Sequence, residues 1–168
     1  MRRFALVLSI TLGLCFLSSC HKVEYGGQKG KILHNKYDPA LNINYIMDDV
    51  EQTWDTLKID LDRDGETDLR ACFFYDMANI IASKDWEISV AYDGYISEAY
   101  GWGREHRVYW GHLSPLCVRH IVDEGYCFGW LDCYSTKGSE GQVDAIRFYL
   151  REIAYCTCPN YPLKWGEK

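Results

Sequence analysis

Polar and apolar positions alternate over short stretches through most of this chain. The clearest case is "WEISVAY" (86–92), where Trp86, Ile88, Val90 and Tyr92 fall on one side of an extended segment. From about Asn42 the same reading covers "INYIM", "TWDTLKIDL", "LRACFFY", "YISEAY", "HRVYW" and "YCFGWLDCYS". Each is short, rich in aromatic or β-branched residues, and bounded by Asp, Gly, Lys or Ser. Short strands at regular spacing predict an all-β, mainly antiparallel domain: a single β-sandwich, jelly-roll-like. Two segments resist. "MANIIASK" (77–84) reads as a helical turn or a loop. "VDAIRFYLREIAYC" (143–156) fits both periods, because Ile146, Phe148 and Leu150 alternate while Ile146, Tyr149 and Ile153 stand at helical spacing.

The N-terminus departs from this pattern. Met1-Arg2-Arg3 is followed by "FALVLSITLGLCF", an apolar run of 13 residues. That is short of the roughly 20 needed to span a bilayer as a helix, and it has the layout of a secretory signal. "LSSC" (17–20) then resembles the lipobox of bacterial lipoproteins. The resemblance implies cleavage before Cys20, lipid on Cys20, and stable anchoring by several acyl chains, palmitate among them. His21 follows the cysteine where aspartate would signal inner-membrane retention, which implies the outer membrane. The expected organisation is a signal peptide over 1–19, a lipidated N-terminus and flexible tether over 20–41, and a β-sandwich domain over 42–168.

Charge narrows the partners. Loss of Arg2 and Arg3 with the leader leaves 16 basic side chains against 24 acids, a net charge of −8. With no Lys/Arg stripe, nucleic acid is excluded as a partner. Six cysteines lie beyond the leader: Cys72, Cys117, Cys127, Cys133, Cys156 and Cys158. An even count in an exported chain predicts disulfides, with the connectivity left open. A Cys156–Cys158 bridge would be tight, and Cys-Thr-Cys is not a zinc spacing.

One loop concentrates the candidate chemistry. "IDLDRDGETDL" (59–69) sets Asp60, Asp62, Asp64, Glu66 and Asp68 at alternate positions, with Gly65 at the sharp turn. Hard oxygen ligands at this spacing suit Ca²⁺, with Glu66 offering its backbone carbonyl. The loop is not an EF-hand, because Ala71 stands where the bidentate glutamate would be and both flanks read as strands. Two carboxylates 4 Å apart repel by about 1 kcal/mol in water and about 4 at an effective dielectric of 20. A cation relieves that crowding; the bland alternative is a solvated Asp/Gly turn. The pattern is similar to calcium loops of extracellular β-domains.

Three pieces together resemble a broad set of uncharacterised secreted bacterial proteins: "DLDRDGETDL", the strand "YCFGWLDC" (126–133) and the ending "IAYCTCPNYPLKWGEK" (153–168). In the last, Ala154, Tyr155, Thr157, Pro159, Pro162 and Gly166 stand at the matching places. The resemblance implies a β-sandwich and a strand over 143–155 paired with "FGWLDCYS", and it implies no activity. Cys133, Cys156 and Cys158 are departures, and a pairing of 127–135 with 146–158 would allow a cross-strand or core disulfide.

Other chemistry is thin. His106, His112 and His120 match no metal motif, and no nucleophile elbow, Rossmann fingerprint or P-loop occurs. Tyr100, Trp102, Tyr109 and Trp110 form a candidate ligand face able to stack on sugars, although most aromatics in such a chain are core. The expectation is therefore a lipid-anchored envelope protein with structural Ca²⁺, acting as a non-enzymatic binding or structural module for a glycan or protein. The alternative is a glycan-binding protein or a hydrolase using Asp93, Glu98 or Glu105.

Overall fold

The computed structural model describes residues 31–46, 56–74, 77–90, 95–109, 116–140 and 143–168. Nine strands run through them: β1 (Ile32–Ile46), β2 (Leu57–Ile59), β3 (Leu69–Phe74), β4 (Met77–Ala82), β5 (Trp86–Val90), β6 (Glu105–Val108), β7 (Leu116–Val122), β8 (Gly125–Glu140) and β9 (Val143–Cys156). They form a five-stranded sheet, β1-β9-β8-β7-β5, and a four-stranded sheet, β2-β3-β4-β6. Every pairing is antiparallel. This is the expected all-β sandwich. Within it, β2-β3-β4 and β7-β8-β9 are meanders, and between them the chain alternates from sheet to sheet through β4, β5, β6 and β7.

The main core lies between the sheets. Leu69, Ala71, Phe73, Ala78, Ile80 and Val108 come from one side, and Ile88, Val118, Leu131, Ile146, Phe148 and Leu150 from the other. Each large side chain buried there contributes about 1.5–3 kcal/mol. A second cluster covers the outer face of the five-stranded sheet. Cys117, Phe128, Trp130, Ala154 and Cys156 point outward from it and are roofed by Ile96, Ala99 and Leu163. The roof is tied down where Ile96 N donates to Leu163 O at 2.8 Å and Trp130 Nε1 donates to Glu167 O at 3.2 Å.

Residues 143–156 form a strand, paired with β8 as the resemblance implied. Their double periodicity has a physical cause. The register shifts between Asp132 and Cys133, which leaves Arg151 as an extra residue on β9. Before the bulge Ile146, Phe148 and Leu150 face the core; after it Ile153 and Tyr155 do. A one-residue phase change makes a strand resemble a helix in projection.

Four expectations need correction. The tether does not extend to residue 41. β1 starts at Ile32, pairs along β9, and buries Leu33 and Ile43 on either side of a register shift between Lys36 and Leu41. Residues 77–82 of "MANIIASK" are a strand with Ala78, Ile80 and Ala82 inward. "YISEAY" is instead a 3-10 turn, Ile96–Glu98, because Ile96 anchors the roof. Finally, none of the six described cysteines is in a disulfide. Cys72 sits across from Asn79, Cys133 from Leu150, Cys156 from Ile32, Cys117 from Trp130 and Cys127 from His120. No cysteine has a cysteine as its cross-strand neighbour, and strands one further away lie beyond the roughly 7 Å a disulfide can bridge.

Candidate functional site

The acid-rich loop connects β2 to β3 and closes one end of the sandwich. Its backbone follows from the sequence. Gly65 takes φ +94, a region that favours glycine, and Arg63 takes φ +66. The aspartates fold the loop on itself. Asp60 accepts from Arg63 N at 2.7 Å and from Gly65 N at 3.0 Å, Asp62 from Asp64 N at 3.1 Å, and Asp64 from Glu66 N at 2.7 Å. Asp68, only 4% exposed, accepts from Leu61 N at 2.6 Å. On the β1 side, Arg63 donates to Asn35 Oδ1 at 2.7 Å and to His34 O at 3.4 Å, which docks the loop against the edge of the five-stranded sheet.

Three carboxylates converge. Oxygens of Asp60, Asp62 and Asp68 all lie within 4.8 Å of one another. Asp64 lies outside that group, and Asp64 and Glu66 instead line an adjoining cleft of about 290 Å³ with Asp62 and Asp68. Burial lifts the pKa of Asp68 to about 6; the N–H of Leu61 opposes this, and the Asp62 charge adds to it. Burial, with the Asp64 and Asp60 charges, also raises Asp62. Backbone N–H groups compensate the ionised carboxylates only in part, and a hard cation would supply the rest. The residues present therefore fit Ca²⁺ through Asp60, Asp62 and Asp68.

His120 completes the wall of the cleft, which spacing alone did not foretell. The sequence places it in no metal motif. Its ring stacks on Trp86, with centroids 4.4 Å apart and planes 10° apart. Its Nδ1 lies 3.2 Å from Tyr155 Oη and 3.9 Å from Asp62 Oδ2. Tyr155 reaches this position across Gly129, its cross-strand partner. A Cβ on Gly129 would come within 2.6 Å of Ala154 O and 2.9 Å of Val118 Cγ2. The glycine of "YCFGW" thus permits the close approach of β8 to the β9 backbone and to Val118. Burial, with Cys127 alongside, raises the Tyr155 pKa and keeps the phenol neutral.

The residues of the candidate ligand face that are described stand in different settings. Trp102 donates Nε1–H to Ala99 O at 2.8 Å, and its ring meets Arg119 at 4.6 Å and Phe128 at 6.5 Å. It belongs to the roof over the outer face. Tyr100 and Tyr109 are exposed, and Trp110 lies outside the described residues. Glu98 and Glu105 are exposed and join no acidic cluster among the described residues. His106 is half-buried on β6 opposite Ile80. Cys20, Asp93 and His112 lie outside the described residues.

Comparison with known proteins finds no family model, no curated protein and no solved structure that matches this chain. Among the described residues, no helix is long and apolar enough to cross a membrane.

Proposed function

We propose that this chain is an envelope lipoprotein, anchored in the outer membrane through lipidated Cys20, whose β-sandwich is clamped at one end by Ca²⁺. Its role is that of a non-enzymatic binding or structural module. The observation that carries the calcium reading is the convergence of Asp60, Asp62 and Asp68 in a loop that closes the sandwich between β1 and the Trp86–His120 stack. The cation would neutralise charge that folding has gathered and partly buried. It would act in stability, with dissociation constants of about 10⁻⁴–10⁻³ M typical of extracellular modules.

Melting the soluble domain with Ca²⁺ and with a chelator tests this. At a hundredfold excess of Ca²⁺ over its dissociation constant the domain gains about 2.7 kcal/mol. Asp60→Asn and Asp62→Asn together should abolish that gain. An unchanged melting temperature with no calorimetric heat on adding Ca²⁺ would sink the clamp. The anchor is tested separately in cells: Cys20→Ala should move the protein from the membrane to the soluble fraction, and retention in the membrane would refute lipidation.

A further inference from the structure

A second cleft, of about 270 Å³, lies on the far side of Asp68, and its chemistry is the reverse of the acidic loop's. Its lining includes Arg70, Arg104, Thr67 and Ser83. The four-stranded sheet sets the arginines on either side of the end of β4. Arg70 on β3 stands across from Ile81. Arg104, just before β6, accepts from Ala82 N through its carbonyl at 2.7 Å and donates Nη2–H to Ala82 O at 3.3 Å. That second bond fixes the direction of its guanidinium.

These donors are uncompensated. Arg119 and Arg151 each hold a carboxylate, Glu87 at 2.5 Å and Asp132 at 2.7 Å. Arg70 and Arg104 hold none among the described residues, in a chain with 24 acids and 18 basic side chains. The hydroxyls of Thr67 and Ser83 also have no partner among the described residues. Ser83 is fixed through its backbone, its N donating to Asp68 O at 2.8 Å. Asp68 also lines the cleft, and its carboxylate is engaged by Leu61 N at 2.6 Å. Guanidinium remains charged at any working pH, and its planar fork matches oxyanions.

We propose that this cleft binds a tetrahedral oxyanion, a phosphate or sulfate group, with Arg70 and Arg104 as the charge-bearing donors and Thr67 and Ser83 as hydroxyl donors. At about 30 Å³ per water in the liquid, the cleft has room beyond the ion for the group that carries it. The cleft can therefore take a phosphate or sulfate monoester as well as the bare ion. Nothing in this site requires Ca²⁺ in the neighbouring loop.

Calorimetric titration of the soluble domain, at constant ionic strength set with chloride, tests the site. The probes are inorganic phosphate, inorganic sulfate and glucose 6-phosphate, with vesicles of phosphatidylglycerol as a separate arm. Saturable binding is expected, weakened at least tenfold by the pair Arg70→Gln and Arg104→Gln and less by Arg70→Lys, which keeps the charge without the fork. Arg70→Gln alone touches no intramolecular bond and should melt like the wild type, so a loss of binding there is not a folding failure. Preference for glucose 6-phosphate places the oxyanion on a soluble ester; arginine-dependent capture by vesicles alone places it on a lipid headgroup. Absence of saturable binding to every probe, or binding that the double variant retains in full, overturns the site.

Discussion

Two clefts share a wall made of Thr67, Asp68 and Ser83, and they solve the problem of charge in opposite ways. On the loop side, Asp60, Asp62, Asp64 and Asp68 all accept backbone N–H groups. Those bonds give the loop its shape, so its acids are part of the fold whatever they bind. On the arginine side, Arg104 holds one carbonyl and Arg70 holds no acceptor among the described residues. The fold does not depend on those groups. Mutation should therefore act on stability on the acidic side and on ligand binding on the basic side.

The strongest way to break this contrast is Asp68→Ala. It leaves the buried Leu61 N–H without its acceptor and should cost about 1–3 kcal/mol. For a chain of this size that is about 2–4 °C of melting temperature per kcal/mol. Arg70→Ala, across the wall, should stay within about 0.5 kcal/mol of the wild type. Equal losses in the two variants would show that the division is false. Asp68→Asn sharpens the point, because it keeps an acceptor and removes the charge. In chelator it should cost less than Asp68→Ala, and it should shrink the gain from Ca²⁺. A full Ca²⁺ response in Asp68→Asn would remove Asp68 from the cation's ligands.

How much of this was legible in the sequence depended on whether neighbours in space were also neighbours in the chain. The aspartates of the loop span only residues 60–68, so type and spacing were enough to mark them. His120 and Trp86 meet the loop only through the β5–β7 pairing, and no spacing rule links them to Asp62. The alternation of β9 was hidden by the bulge at Arg151. In β4 it was hidden by size and composition: Ala78 and Ala82 are small inward residues, while Ile81 faces out and Asn79 is buried. No local pattern signals that Ile96, Ala99, Trp102 and Leu163 roof the outer side of a sheet, because that role depends on contacts distant in the chain. The first half of edge strand β1, up to residue 41, read as a tether because few of its residues, Leu33 among them, reach the core.

Arg63 offers a smaller test of how the loop is held. It docks the loop on β1 through Asn35 and His34 while sitting at φ +66, where a non-glycine residue costs about 1–2 kcal/mol. Arg63→Ala loses the hydrogen bonds and keeps the strain. Arg63→Gly loses the bonds and releases the strain, so it should be the more stable of the two by about 1 kcal/mol. The reverse order, in chemical denaturation, would mean that the left-handed residue is not strained.

The smallest effect expected is a pH dependence away from both clefts. His106, half-buried on β6, has its pKa lowered by burial below its ordinary 6.5. Between the lowered value and 6.5 the unfolded chain binds more protons than the folded one, so stability rises with pH across that window. The contribution is complete above 6.5 and is lost as pH falls through the folded-state value. His106→Gln should flatten this part of the stability profile and leave phosphate binding and the Ca²⁺ response unchanged. A profile identical to the wild type would show that burial does not disfavour the charged imidazole. A changed Ca²⁺ response would show that β6 and the loop end of the sandwich are coupled through the four-stranded sheet.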